Sequence, residues 1–158
     1  MGKTIELLWH IATPNREEKY ESLEGKGIYQ IYGTHPIYGR NVLLYIGMTV
    51  TDINIRLKKH KYNWLKHEYD PVTIYIGKLA PTSEFASEVD SSDIRKAEAL
   101  LIYYCAPAYN SSSLSEIKEN LIIDGIVVRN YGKIGSLPTE VSTMWYDSKV
   151  WDDEYFNK

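Results

Sequence analysis

The sequence predicts a single mixed α/β domain, and three observations point to it. Two short β-prone runs, Gly27-Ile28-Tyr29-Gln30-Ile31-Tyr32 and Val42-Leu43-Leu44-Tyr45-Ile46-Gly47, flank a stretch rich in Gly, Pro and Asn, so they return on one another as an antiparallel pair. An amphipathic helical pattern follows, with Ile53, Leu57 and Trp64 on one stripe. A third β-prone run and a second amphipathic helix come after it. At 158 residues the chain is long enough to bury a core without covalent staples.

The elements follow in order. Residues 4–12 (TIELLWHIA) form a short strand or helix. Thr13-Pro14-Asn15 is a helix-start signal, with Glu17 and Glu18 where the helix dipole favours acids, so 14–23 reads as a short helix or loop. Strand residues 27–32 lead into turn chemistry at 33–40 (GTHPIYGR) and a strand at 41–46, which Gly47 breaks. Thr51 or Asp52 caps a helix over 52–67. On that helix Arg56, His60, Asn63 and His67 make a second stripe beside the apolar one. Asp70-Pro71 ends it, and 72–79 (VTIYIGKL) is the third strand. A polar loop, 80–92, closes on a Ser-Ser-Asp cap, and the second helix runs over 93–105 until Pro107 stops it. Further on, Asp124-Gly125 between two apolar runs predicts a hairpin. The aromatic residues of 137–158 pack back on the domain.

Composition narrows the function classes. One cysteine excludes an internal disulfide framework and a Cys-based zinc site, and suits a reducing cytoplasm. The first residues do not form a signal peptide, and no apolar run reaches the length of a membrane span. The net charge of −3 alone argues against nucleic acid. Its distribution does not: Arg56, Lys58, Lys59, Lys61 and Lys66 lie within one helical stretch that holds no acid. The competing reading is a solvated helix face.

One carboxylate stands out on a helical wheel begun at Ile94. Ala97, Leu100, Leu101, Ile102, Tyr104 and Cys105 fill one arc, Arg95, Lys96 and Tyr103 lie opposite, and Glu98 falls inside the apolar arc. A carboxylate aimed at a core is costly unless it is paired, protonated or bound to a metal. The alternative is a Glu at the arc's edge, reaching water or pairing with an Arg. Phosphodiester hydrolysis needs a base for water, a cation for the phosphate and usually a metal. Glu98, Arg56 and a nearby Tyr or His are residues of those types.

These residues resemble the GIY-YIG nucleases over about 26–110. Gly27-Ile28-Tyr29 and Tyr45-Ile46-Gly47 are similar to the two name-giving strands, and Arg56 with His60 to the helix motif. Glu98 in AEALLI is similar to the metal-binding glutamate, and Pro107-Ala108-Tyr109-Asn110 to the closing Pro-x-x-Asn. Tyr75-Ile76-Gly77 is a second copy of the tripeptide. Order and spacing select Tyr45, because Arg56 and His60 follow it.

The resemblance implies an α/β (α+β) fold with a central three-stranded antiparallel sheet flanked by helices. A C-terminal hairpin or helical extension is added to this. The catalytic core is then about 25–112, with 1–24 and 113–158 packed on it. It also implies metal-dependent DNA hydrolysis by one Mg²⁺ or Mn²⁺, leaving a 5′-phosphate and a 3′-hydroxyl. Tyr29 is then the general base or the group that orients water, and His60 its proton relay. Arg56 and Tyr45 steady the phosphate charge, Glu98 ligates the metal, and Asn110 braces the site. DNA contacts are expected from Arg40, Lys58, Lys59, Lys61, Arg129 and Lys133.

The segment between the two motifs is longer than in many members, which bears on substrate choice. Lacking a separate DNA-binding domain, the chain looks more like the restriction-endonuclease or standalone branch. Specificity then comes from its own loops, a homodimer or a partner protein, and no membrane is involved. A catalytically idle binding module on the same fold, or an RNA nuclease, is the competing reading.

Overall fold

Alternating apolar residues begin almost at the N-terminus. In Lys3–Ala12 (β1), Ile5, Leu7 and Trp9 fall on one side and are fully buried. The structure is a computed structural model and describes residues 3–12, 26–62, 70–80, 89–114 and 125–145. Its further elements are strands Gly27–His35 (β2) and Gly39–Thr49 (β3), helix Ile53–Tyr62 (α1), strand Thr73–Leu79 (β4) and helix Ser91–Cys105 (α2). Strands Ile126–Gly132 (β5) and Glu140–Ser142 (β6) follow, then a short 3₁₀ turn, Thr143–Trp145.

The strands form one six-stranded sheet in the order β3-β2-β4-β1-β5-β6. Every neighbouring pair is antiparallel except β1 and β5, which run parallel. This corrects the expected fold: the chain does not form a three-stranded antiparallel sheet carrying a C-terminal extension. The reason lies at its two ends. β1, whose residues were readable as strand or helix, inserts between β4 and β5. The segment expected as a terminal hairpin supplies β5, whose partners are β1 and β6. Trp9 locks this arrangement. Its ring lies on Gly77, where a Cβ would come within 2.7 Å of the indole, and its Nε1 donates to Asn130 Oδ1 at 2.9 Å.

Side chains alternate between the two faces of the sheet. Tyr29, Ile31, Ile74 and Ile76 face α1 and pack with Ile53 and Leu57. Ile28, Tyr32, Ile46 and Met48 face the other way and join β1, β5 and α2 in the larger core. α2 starts at Asp90, not at the Ser-Ser-Asp run. The Asp90 carboxylate accepts from the Asp93 N–H, and Asp93 returns the bond to the Asp90 N–H. The helix ends at Ala106, which is left-handed at φ 44° just ahead of Pro107. No helix among the described residues is long and apolar enough to cross a membrane. The readings for 14–23, Asn63, Trp64, Lys66 and His67, and for the tail from 146 onward, lie outside the described residues, as does the 121–124 arm of the predicted hairpin.

Candidate functional site

Strand β3 lies at the edge of the sheet, so the N–H and C=O groups of alternate residues point outward with no strand to meet them. The chain satisfies them with segment 106–110 and with α2. Ala108 and Tyr109 donate their N–H groups to Leu43 O and Leu44 O at 3.1 and 2.7 Å. The Asn110 carboxamide brackets Ile46, accepting from its N–H and donating to its C=O, each at 2.9 Å. Further along, the Met48 N–H sits beside the Glu98 carboxylate and favours its charged form. One side chain from α2 therefore lies beside the stretch of β3 that carries Tyr45 and Gly47.

The opposite face of the same edge carries the aromatic residues. Tyr29 on β2 is paired in register with Gly47 on β3. Gly47 is inside the strand, not at its end. A Cβ there would lie 2.3 Å from the Tyr29 hydroxyl and 2.8 Å from the Tyr45 ring, so the missing side chain is the space the Tyr29 phenol occupies. The phenol is fully buried. Its hydroxyl lies 2.7 Å from His60 Nε2, and the Arg56 guanidinium donates to its oxygen. α1 supplies both partners because Arg56 and His60 are one turn apart on a helix whose Ile53 and Leu57 are anchored in the core. Asp52 precedes that helix and accepts from the Asn54 N–H at 2.7 Å. The Tyr45 ring packs against His60 with centroids 4.7 Å apart and lies 6.2 Å from Tyr29.

Electrostatics follow from burial. His60 is pulled down to about 4, first by burial and then by the Arg56 charge, so it is neutral at pH 7. In the tautomer that carries its proton on Nδ1, its Nε2 accepts from the Tyr29 hydroxyl. Tyr29 is pushed well above the ordinary tyrosine value by burial, against the pull of the Arg56 hydrogen bond. Glu98 is pushed up to about 7. There burial outweighs the Arg56 and Arg95 charges and the Met48 N–H.

Five of the predicted residues, Tyr29, Tyr45, Arg56, His60 and Glu98, thus lie round one strand edge, and Asn110 braces that strand. They form two tiers. Arg56 is exposed and Tyr45 and Glu98 are half-buried, whereas Tyr29 and His60 are buried behind them. The second Tyr-Ile-Gly is elsewhere: Tyr75 is on the α2 face, its ring 5.2 Å from Tyr32.

The cationic residues are dispersed. Lys58 and Lys59 are exposed on α1, while the Lys61 side chain lies outside the described residues. Arg40 lines an open cavity of about 290 Å³ with Tyr32, Thr34, Asn41 and Asp70, at the far end of the β2–β3 hairpin. Arg129 is on β5, four strand spacings or roughly 19 Å from β3, and is paired with Glu140 at 2.9 Å. Lys133 is exposed in the β5–β6 connection. Neither joins the site.

Sequence reasoning missed Met48, which acts through its backbone and has no side-chain signature. It also missed the purpose of Gly47, whose signal was its place opposite a tyrosine. Among the described residues no group of three or more His, Cys, Asp or Glu gathers as a metal cage. Glu98 alone fits a different kind of site. It is a hard oxygen donor, and burial penalises its charge until a cation arrives, which suits one Mg²⁺ or Mn²⁺ that keeps most of its waters. Comparison of the chain with family models, with curated proteins and with solved structures finds no match.

Proposed function

We propose that this site hydrolyses phosphodiester bonds in DNA, as a metal-dependent endonuclease of the GIY-YIG kind in its chemistry though not in its sheet. The observation that carries the reading is the convergence of a buried Tyr29–His60 pair, an exposed Arg56 and a burial-stressed Glu98 at one strand edge. Glu98 would hold the divalent cation, which when bound offsets the charge on the phosphate and its leaving oxygen.

The remaining steps belong to the chain's own residues. Arg56 leaves the Tyr29 oxygen for the phosphate, to which its planar donors are suited. That exchange frees a lone pair on Tyr29 to accept a proton from water, as the Tyr29 proton passes to His60 Nε2. It also removes one of the two causes that hold His60 down, because a phosphate beside Arg56 cancels its positive charge. Tyr45 adds a hydroxyl next to the same phosphate. Tyr29 alone is no base at neutral pH. The pair acts only once the anion is in place.

The test is cleavage of duplex, branched and single-stranded DNA, with RNA alongside, in Mg²⁺ or Mn²⁺. Cutting to 5′-phosphate and 3′-hydroxyl ends is the expected outcome. Arg56→Ala and Glu98→Ala should lower the rate at least a hundredfold, the scale set by losing one transition-state charge partner, with unchanged circular dichroism. Cleavage of RNA alone would move the substrate class. A second reading, a binding module without turnover, is favoured by the complete burial of Tyr29. It predicts salt-dependent DNA binding and no product with any metal.

A further inference from the structure

The β2–β3 hairpin ends in a three-residue loop, 36–38, closed by the His35–Gly39 pair, with Gly39 left-handed at φ 89°. Such a turn favours Pro36, calls for glycine at the left-handed Gly39 and needs nothing apolar between them. The chain nevertheless places Ile37 and Tyr38 there, 83% and 70% exposed. The loop is also braced. His35 Nδ1 accepts the N–H groups of both Ile37 and Tyr38 at 3.1 Å, and its ring stacks on Tyr38 with centroids 4.5 Å apart and planes 21° apart. On its other side His35 meets Tyr109 at 5.5 Å. Tyr109 is bonded to Leu44 O, and its neighbour Asn110 brackets Ile46, so the three rings are fixed to the strand that carries Tyr45. With His35 against one face of Tyr38, the other face is left to solvent, and exposed Arg40 is two residues away.

We propose that this hairpin tip is a stacking platform for an unpaired nucleobase, with Arg40 taking a flanking phosphate; the proposal rests on the reading of the site as a nuclease. A flat aromatic face braced from behind gives area at small entropic cost, and stacking tolerates any base. Tyr38 and Tyr45 are seven residues apart in the chain, so at most roughly 23 Å separates them. At the roughly 3.4 Å per nucleotide of a stacked strand, a base on the platform lies no more than about seven steps from the phosphate under attack.

The test uses a fluorescein-labelled single-stranded oligodeoxynucleotide and protein carrying Glu98→Gln, so that binding is read without cleavage. Tyr38→Ala should weaken binding roughly five- to a hundredfold, the range of one base–aromatic stack, with the salt dependence unchanged, and Tyr38→Phe should restore it. An unaltered affinity in Tyr38→Ala, or Tyr38→Phe as weak as Tyr38→Ala, overturns the proposal. So does a wild-type chain whose Tyr38-dependent association is with itself and not with DNA. Tyr38-dependent binding by a chain that never cleaves upholds the platform while the nuclease reading fails. Full cleavage beside an indifferent Tyr38 does the reverse.

Discussion

Glu98 and His60 lean in opposite directions chiefly through burial, to which the Arg56 charge adds at His60. The Glu98 carboxyl titrates near 7 against an ordinary 4.5, so its stabilising share is full below 4.5 and is lost as pH rises through 7. His60 titrates near 4 against 6.5, so its share is present above 6.5 and is lost as pH falls through 4. Between 4.5 and 6.5 the two slopes oppose, and the metal-free protein should show a nearly flat stability profile there. Glu98→Gln should unmask a stability that climbs with pH over 4 to 6.5, and His60→Gln one that falls over 4.5 to 7. Each change is on the order of 3 kcal/mol at most. Urea titrations across that pH range read it. Two single variants with the same slope would show that burial is not the cause. Mg²⁺ should raise the melting temperature of the wild type and leave Glu98→Gln unmoved.

Much of this residue scale was legible in the sequence. An Arg and a His one turn apart announce themselves, as does a Glu in an apolar arc. Gly47 did not, because a glycine that ends a strand and a glycine that admits a neighbour's ring look alike in one dimension. Only the cross-strand register with Tyr29 separates them.

At the scale of elements, the edge strand β3 is held by the Ala108 and Tyr109 backbone and by the Asn110 side chain, not by a further strand among the described residues. Asn110→Ala would strand the Ile46 N–H and C=O together, costing about 2 kcal/mol for two hydrogen bonds. Asn110→Asp keeps the acceptor for the N–H and loses the donor, so it should fall between the two. Hydrogen exchange at the Ile46 amide should quicken in the order wild type, Asp, Ala. An Ile46 amide as slow in Asn110→Ala as in the wild type would mean the bracket contributes nothing. The ends of elements were where sequence reasoning slipped. It capped α2 at Ser-Ser-Asp when Asp90 is the cap, since several polar residues in a row all qualify and only the reciprocal Asp90–Asp93 bonds choose between them. It also stopped β2 and β3 short of the hairpin, reading turn chemistry over 33–40 where the loop is 36–38.

The whole molecule depends on its two ends, and here local pattern had least to offer. A parallel pairing such as Ile5 with Val128 leaves no trace in either segment alone. A chain cut to 25–112, the core that motif order suggests, lacks β1, β5 and β6. β4 then loses the partner it has along Leu7 to Ala12 and becomes a bare edge. The larger core loses Ile5, Leu7, Trp9, Ile126, Val128 and Val141, every one of them within 1% of full burial. At roughly 2 kcal/mol per large apolar side chain, the three from β1 alone represent about 6 kcal/mol, against a total of about 5–15 kcal/mol for a domain of this kind. Gly77 would also be left as an uncovered gap under the missing indole. The 25–112 fragment should therefore be unfolded or aggregated, with no dispersed amide spectrum and no cooperative melt. Adding back both ends should restore the spectrum where adding 1–24 alone does not, because β1 needs β5 on its other side. A fragment that folds and binds DNA alone would make the flanking strands an ornament on a smaller domain. A fragment that cannot fold means that Tyr29, Arg56, His60 and Glu98 converge only because residues more than a hundred positions apart first close the sheet.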